Sequence, residues 1–158
     1  MDAQIAYVEK LPQHIKDSIV WYTGYDYEDF NTDLRKGRIP KQKQHYENLL
    51  IAFSGVPPLK NPLTVFRGKK SDTMRDTDKA FVSTSTVLKG TEDFRGKSCC
   101  VLQITVSPGS KVLPLSSLSQ IKSENEVLLD RDGNFRMTGS DIWDYRDSFG
   151  TPVSMKMF

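Results

Sequence analysis

Cysteine and histidine, the residues that build disulfide frameworks and many metal sites, are scarce in this chain. The 158 residues include only two cysteines and two histidines. Cys99 and Cys100 are adjacent, so they cannot join distant loops and do not have the spacing of a metal-ligand motif. The sequence therefore predicts no disulfide framework and no metal cofactor, and it favours a reducing compartment.

Long apolar runs are also missing. No run approaches the ~18 residues that a membrane span needs. Asp2, Glu9, Pro12 and His14 interrupt the N-terminal region where a secretory signal would have a continuous apolar core. We therefore expect no membrane partner and no signal peptide. The expected location is the cytoplasm, or a target cell that receives the chain by signal-independent export or injection.

A large charge excess of one sign is absent as well. The chain has 22 basic and 20 acidic residues, a net charge of +2. This small excess excludes a nucleic-acid binder that works mainly by bulk electrostatics. Locally, five cations lie within nine residues, at Arg35, Lys36, Arg38, Lys41 and Lys43. We interpret most of them as a solvated helix end and loop, while an anion site that uses one of them stays open.

What the chain does have is a change of hydrophobic period along its length. Ile15, Ile19 and Tyr22 keep helical spacing, and similar patterns predict further helices over about 26–36 and 46–53. After Pro62, short β-branched or aromatic runs predict six strands: Leu63–Arg67, Ala80–Thr86, Cys99–Val106, Lys111–Leu115, Glu126–Asp130 and Asn134–Thr138.

The order of these elements predicts the fold class. No helical pattern separates successive strands, so the sheet is expected to be mainly antiparallel rather than built from βαβ units. The sequence predicts one α+β domain over residues 1–158, with a helical part at about 10–55 and a β core at about 62–158. Within the β core, Asp130-Arg131-Asp132-Gly133 predicts a hairpin turn between two strands.

Three groups of polar residues stand on the predicted strands. Arg67 ends the first strand, Ser83-Thr84-Ser85 occupies the second, and Glu124-Asn125-Glu126 begins a later one. Strand alternation places the two serines on one face and the two carboxylates on one face. Taken alone, the two acids at a strand's entrance are better explained by solvent exposure, and Arg67 is explained as an arginine at a strand edge.

In this order, the three groups resemble the arginine–serine–glutamate (R-S-E) class of mono-ADP-ribosyltransferases. The segment from Trp21 to Tyr25, followed by Asn31 to Arg35, is similar to the Tyr-Thr-Gly and Asn-x-x-Leu-Arg elements of the binary actin-modifying toxins and the Rho-modifying exoenzymes. The resemblance covers roughly residues 15–138. It implies the ADP-ribosyltransferase fold, in which N-terminal helices pack on a two-sheet, mainly antiparallel β core.

The resemblance also implies the substrate and the roles of individual residues. The family cleaves the nicotinamide–ribose bond of NAD and transfers ADP-ribose. By motif, Arg67 would bind an NAD phosphate, Gly68 would let the backbone approach the nicotinamide amide, and Ser83 would position the catalytic glutamate. Thr84 and Ser85 would support that strand.

The remaining implied roles belong to the acidic motif, to the helical part and to one residue between strands. Glu126 would hold a ribose hydroxyl and stabilise an oxocarbenium-like transition state. Glu124 would orient and deprotonate the acceptor, which favours arginine because a guanidinium is a poor nucleophile without a base. Asn31 and Arg35 would contact the adenosine or phosphate side, and Arg95 would add a phosphate contact.

These expectations define the function and its alternatives. The expected function is a mono-ADP-ribosyltransferase, a bacterial or phage toxin or effector, that modifies arginine on a target protein. NAD is the expected substrate, and an immunity or carrier protein is a further expected partner. The alternatives are an NAD glycohydrolase toxin and a transferase that uses a nucleic acid or hydroxyl acceptor. A non-enzymatic interaction module is a remoter alternative.

Overall fold

The computed structural model describes residues 1–23, 27–69, 77–87, 100–118, 125–139 and 142–146. Within these ranges the four helices are α1 Asp2–Glu9, α2 Gln13–Thr23, α3 Tyr27–Arg35 and α4 Lys43–Gly55. The eight strands in the same ranges are β1 Leu63–Lys69, β2 Thr77–Asp78, β3 Val82–Ser85, β4 Cys100–Val106, β5 Val112–Pro114, β6 Glu126–Leu129, β7 Gly133–Gly139 and β8 Ile142–Arg146. Helices first and strands afterwards confirm the predicted α+β class.

The helices form because apolar residues recur at helical spacing and because turn residues end them. On α2, Ile15, Ile19 and Tyr22 are buried as predicted. Gly37, with φ +72°, ends α3 in the left-handed conformation that a residue with a Cβ adopts only at a cost.

The strands are hydrogen-bonded in the order β2-β7-β8-β4-β1-β3-β6-β5. The pairing is antiparallel throughout except between β4 and β8. The order contains a five-strand section, β2-β7-β8-β4-β1, and a three-strand section, β3-β6-β5. The pair recorded between the two sections is Phe66 with Ser85, at the contact of β1 and β3.

Two hydrophobic cores show that the sections lie in separate layers. One core joins β1, β4 and β7 of the five-strand section to β3, β5 and β6 of the three-strand section, through residues such as Ile104 and Val127. The other core joins the helices to the opposite face of the three-strand section, through Phe81, Leu113 and Leu128. The molecule is therefore layered as helices, three-strand section and five-strand section, which confirms the predicted two-sheet core.

Alternation along the three-strand section decides which side chains face the helices. Leu128 lies in the helix-facing core, whereas its neighbours Val127 and Leu129 lie in the core between the two sections. Because side chains alternate between the faces of a strand, Glu126 shares the face of Leu128. On β3, the serines alternate in the same way with the inward-facing Val82 and Thr84.

The structure differs from the sequence-based prediction in several elements. Helix α1 and strands β2 and β8 were not predicted. The hairpin predicted at Asp130-Arg131-Asp132-Gly133 is wrong, because β6 pairs with β3 and β5 whereas β7 pairs with β2 and β8. The four residues do turn the chain, with Asp132 at φ +61°, but the turn carries it from one section to the other. Within the described ranges, no helix is long and apolar enough to cross a membrane.

Candidate functional site

Arg67 lies where the two strand sections meet. It is on β1, next to Phe66, whose pairing with Ser85 joins the sections. Its Nη1 donates a 2.8 Å hydrogen bond to the backbone carbonyl oxygen of Ser83 on β3. The guanidinium therefore braces β3 while it remains partly exposed at the site.

The three hydroxyl groups of the Ser-Thr-Ser motif on β3 differ in their hydrogen bonds. Thr84 is fully buried, and its Oγ1 donates a 2.7 Å hydrogen bond to the carbonyl of Val127 on β6. The Ser85 hydroxyl is engaged locally, since it donates to the carbonyl of Val87 at 3.0 Å and accepts from the Val87 amide at 3.2 Å. Ser83 is half-buried, and no hydrogen bond of its hydroxyl is recorded among the described residues. The first serine is thus the one whose hydroxyl remains available to a ligand or to Glu126.

Glu126 begins β6 and is only 4% exposed. Its Cα partner across the ladder is Ser85, and Ser83 pairs with Leu128, so Ser83 stands one diagonal step from Glu126. A diagonal of this kind spans about 7–8 Å between Cα atoms, which a glutamate side chain can bridge. The Glu126 carbonyl accepts a 2.8 Å hydrogen bond from the Leu115 amide, which fixes the backbone at this position.

The backbone before Glu126 is not a regular strand. Asn125 has φ +46°, in the left-handed region that asparagine tolerates better than most residues. The prediction that Glu124-Asn125-Glu126 forms one extended strand entrance is wrong at Asn125, since alternation between faces requires extended residues. Glu124 itself lies outside the described residues, so its role stays a prediction.

A buried tyrosine connects the helical layer to these strands. Tyr22 on α2 is 1% exposed, and its hydroxyl donates to the carbonyl of Phe81, just before β3, at 3.3 Å. The same hydroxyl accepts a 2.8 Å hydrogen bond from Nδ2 of Asn31 on α3. Asn31 is itself 5% exposed, and its Oδ1 is buried with no hydrogen-bond partner in the described part of the chain.

The pKa of Tyr22 is affected by its burial and by several of the predicted site residues. Burial is the largest cause that raises the pKa of Tyr22 well above its ordinary value, and the charge of Glu126 also raises it. The hydrogen bond from Asn31 and the charges of Arg67 and Arg35 act in the opposite direction. These four residues, which all affect the pKa of Tyr22, come from two strands and one helix.

Most of the predicted site residues lie in the described part of the chain, and two lie outside it. Six of them, together with the backbone of Gly68 on β1, lie in described elements at or beside the junction: Asn31, Arg67, Ser83, Thr84, Ser85 and Glu126. Arg35 ends α3 and acts on Tyr22 through its charge. Arg95, like Glu124, lies outside the described residues.

Tyr22 is the residue that sequence reasoning missed as part of the site. Its spacing with Ile15 and Ile19 predicted a buried helix face, which the structure confirms. Tyr22 also stands in the Tyr-Thr-Gly element of the family resemblance, but no role in the site was assigned to it. The signal that could have found it is a buried hydroxyl on an otherwise apolar face, because such a group needs hydrogen-bond partners.

The arrangement offers the Glu126 carboxylate on β6, the Arg67 guanidinium on β1, and the Asn31 amide and Arg35 guanidinium on α3. Such a set suits an anionic ligand with polar hydroxyls, since arginine matches phosphate oxygens and carboxylates accept from hydroxyls. In the described ranges, no cluster of three or more histidine, cysteine, aspartate or glutamate residues could hold a metal ion.

Comparison with known proteins finds a match to one protein-family model. Residues 71–148, close to half of the chain, match the family model of the ADP-ribosyltransferase exoenzymes. The comparison with curated protein sequences gives no match.

Solved structures match over nearly the whole chain. The C3 exoenzyme of Clostridium limosum matches with a TM-score of 0.73 and 19% identity, covering 93% of this chain and 90% of that chain. Plx2a, an ADP-ribosyltransferase toxin from Paenibacillus larvae, matches with a TM-score of 0.69 and 17% identity, covering 90% and 89%.

A third similar structure contains a substrate analogue and a protein partner. Exoenzyme S from Pseudomonas aeruginosa, in complex with human 14-3-3 protein beta and bound to carba-NAD, matches with a TM-score of 0.68 and 18% identity, covering 92% and 79%. These matches confirm the fold that the motifs implied.

Proposed function

We propose that this chain, an ADP-ribosyltransferase by its fold and by the exoenzyme family model that matches its residues 71–148, transfers ADP-ribose from NAD to arginine on a target protein. One observation carries the assignment of the site. Arg67 donates a hydrogen bond to the Ser83 carbonyl on β3, the strand that pairs with β6, where Glu126 begins. Asn31 on α3 donates to the hydroxyl of Tyr22, which in turn donates to the carbonyl of Phe81 just before β3. We infer that NAD binds beside these linked residues.

The unpaired amide oxygen of Asn31 gives a second reason to propose NAD as the ligand. Asn31 Oδ1 is buried and lacks a hydrogen-bond partner in the described part of the chain. A buried acceptor left unpaired costs free energy, about 1–3 kcal/mol. A ribose hydroxyl or the adenine amino group would supply the missing donor, and Arg35, one helical turn later, is placed for the neighbouring phosphates.

The chemistry of the bond that breaks explains the choice of residues. Nicotinamide leaves as a neutral ring from a cationic one, so the enzyme needs no strong general acid. Positive charge develops on the ribose, and the Glu126 carboxylate would stabilise it while accepting a hydrogen bond from a ribose hydroxyl. Ser83, whose hydroxyl has no recorded partner among the described residues, would donate to that carboxylate and hold it in place.

The arginine acceptor is the part of the proposal that rests on Glu124. A guanidinium stays protonated to about pH 12, so attack on the ribose requires a base beside it. Glu124 precedes Glu126 by two residues in the sequence, and we propose that its carboxylate is that base.

The biological setting follows from the similar proteins. The similar structures include a toxin of Paenibacillus larvae and exoenzymes of Clostridium limosum and Pseudomonas aeruginosa. We propose that this chain is likewise a toxin or effector that acts in a target cell. The exoenzyme S complex with a 14-3-3 protein also makes a protein partner, such as a carrier or an immunity protein, a reasonable expectation here.

The experiment incubates the purified chain with NAD labelled in its adenosine part, first alone and then with cell lysate or agmatine, a small guanidine acceptor. We expect release of nicotinamide in every mixture and label on both lysate protein and agmatine. A folded sample that releases no nicotinamide would overturn the ADP-ribosyltransferase assignment.

The acceptor is tested separately with Glu124→Gln. If Glu124 is the base, this variant keeps NAD hydrolysis and loses transfer to agmatine by about 10²-fold or more, the usual worth of a general base. Parallel loss of hydrolysis and transfer would contradict the acceptor role. Label on RNA rather than protein, removed by ribonuclease, would favour a nucleic-acid acceptor.

A further inference from the structure

The connection between α3 and α4 carries a dense cluster of positive charge that the NAD site does not use. The basic segment, residues 36–43, contains Lys36, Arg38, Lys41 and Lys43 and no acidic residue. All four side chains are exposed, and none has a recorded hydrogen bond or ion pair among the described residues. The rest of the chain holds 18 basic and 20 acidic residues, a net charge of −2. The whole positive excess of the protein therefore lies in this segment.

The backbone of the basic segment is held in one conformation at its start. The Gly37 amide donates to the carbonyl of Leu34 at 3.0 Å, and the Arg38 amide donates to the carbonyl of Asp33 at 2.8 Å. These two bonds, with Gly37 at φ +72°, form a Schellman cap at the end of α3. Pro40 is buried and anchors the middle of the segment. The four cations are thus presented from a fixed turn rather than from a long free loop.

The lysines at the end of the basic segment are electrostatically unfavourable at the N-terminus of helix α4. A helix N-terminus carries partial positive charge and is stabilised by acidic residues, whereas lysines there are unfavourable. Lys43 is the first residue of α4, Lys41 precedes it by two residues, and no acidic residue lies in the first turn. The N-cap Gln42 makes no capping hydrogen bond with its side chain. Residues that break a local rule without a structural gain indicate a functional site.

An exposed apolar residue stands among the cations. Ile39 is 66% exposed, more than any other large hydrophobic side chain in the described part of the chain. One apolar anchor ringed by charged side chains is typical of a protein-binding surface, where the ring excludes water from the anchor. A site for single-stranded nucleic acid would instead use aromatic side chains for base stacking, and residues 36–43 include none.

We propose that the basic segment docks an acidic surface of the acceptor protein beside the NAD site, a proposal that rests on the transferase function above. The segment follows directly after α3, whose Asn31 is hydrogen-bonded to the Tyr22 hydroxyl, so a protein held there would lie next to the cleft. Opposite charges would steer the acceptor to the enzyme and fix its orientation. Ile39 would contact an apolar spot within that acidic surface.

The test compares two double variants of equal charge change. Lys41→Glu with Lys43→Glu alters the basic segment, and Lys10→Glu with Lys60→Glu alters two exposed lysines elsewhere. Three properties are measured for each chain: NAD hydrolysis, label transfer into lysate protein at low and high salt, and binding of a fluorescent oligo-glutamate peptide. Thermal unfolding is measured in parallel.

We expect the wild type to bind oligo-glutamate in a salt-dependent way, and the peptide to inhibit transfer but not NAD hydrolysis. The Lys41/Lys43 variant should lose about 10-fold in peptide binding and in transfer at low salt, the lower range of electrostatic steering effects. Its KM for NAD should not change. Its melting temperature should not fall, because acidic residues suit the start of α4. The Lys10/Lys60 variant should keep both peptide binding and transfer.

Four results would overturn the docking proposal. The first is a wild type that does not bind oligo-glutamate, and the second is a Lys41/Lys43 variant that transfers as fast as the wild type. The third is a raised KM for NAD in that variant, which would assign the cations to the NAD phosphates. Tighter binding of a single-stranded RNA of equal charge than of the peptide would likewise reassign the segment to nucleic acid. Failure of NAD hydrolysis in the wild type would reject the enzyme assignment, and peptide binding would still test the docking surface.

Discussion

The Arg67 guanidinium donates a 2.8 Å hydrogen bond from Nη1 to the backbone carbonyl oxygen of Ser83. The two residues lie on β1 and β3, the strands at which the five-strand and three-strand sections meet. The same side chain that is predicted to bind an NAD phosphate therefore also holds the strand that carries the Ser-Thr-Ser motif. Fold and site are coupled at Arg67, and a substitution there should disturb both.

Arg67→Lys should lower kcat/KM for NAD cleavage and also destabilise the protein. Lysine keeps the charge but not the planar fork that can hold a carbonyl and a phosphate together. We expect a loss of about 10²-fold in kcat/KM, as for a misplaced catalytic group, and about 1.5–3 kcal/mol in the free energy of unfolding. Nicotinamide release and urea unfolding measure the two effects. Arg38→Lys, on the exposed basic segment, is the matched control and should change neither, and an Arg67→Lys protein with wild-type kinetics would reject the assigned role.

Glu126→Gln should remove NAD cleavage while leaving the fold intact. The substitution keeps the volume of a side chain that is 4% exposed but removes the negative charge that faces the developing cation. We expect hydrolysis and transfer to fall together by at least about 10²-fold. Glu47→Gln, on the exposed face of α4, makes the same chemical change outside the site and should retain full activity. Substantial hydrolysis by a folded Glu126→Gln protein would show that another group stabilises the transition state.

Local sequence patterns predicted most elements but not how the strands are partnered. Helical spacing over Ile15, Ile19 and Tyr22 reports which face of α2 is buried, and this prediction was confirmed. The turn at Asp130 to Gly133 has the composition of a hairpin, yet it joins strands of different sections. Turn residues fix the local backbone but carry no information about which strand lies beside the next one.

The candidate site was found through motif order rather than through chemistry visible in any single motif. Arg67, Ser83 and Glu126 are far apart in the sequence, and only the resemblance grouped them. Tyr22 stands in the Tyr-Thr-Gly element of that resemblance, but the motif assigned it no role, and its spacing is explained by an apolar helix face. Its role depends on Asn31 and Phe81 meeting its hydroxyl, which is a consequence of packing between layers.

Gly37→Ala should destabilise the protein without changing NAD cleavage. Gly37 has φ +72°, and no atom lies within 4 Å of the position that a Cβ would take. The cost therefore comes from the left-handed backbone alone, which is about 1–2 kcal/mol for an alanine. Urea unfolding checks the loss, and nicotinamide release checks that the site is unaffected. A Gly37→Ala protein as stable as the wild type would mean that the Schellman cap contributes less than its geometry indicates.

Tyr22→Phe should destabilise the protein in a way that depends on pH. At neutral pH the variant leaves the buried Asn31 Nδ2 without its acceptor, at a cost of about 1–3 kcal/mol in the free energy of unfolding. Burial raises the pKa of Tyr22 in the folded protein, so above pH ~10 the unfolded tyrosine loses its proton while the folded one keeps it. The unfolded state then binds fewer protons, and the stability contributed by Tyr22 falls by about 1.4 kcal/mol per pH unit.

Phenylalanine has no such proton, so the stability difference between wild type and variant should be constant below pH ~10 and should shrink above it. Urea unfolding of both proteins between pH 8 and about pH 11 measures this difference, and the other tyrosines and the lysines cancel because both proteins contain them. A difference that stays constant through pH ~11 would show that the Tyr22 hydroxyl ionises as readily in the folded protein as in the unfolded chain. That result would contradict a Tyr22 hydroxyl that is buried between Asn31 and the Phe81 carbonyl.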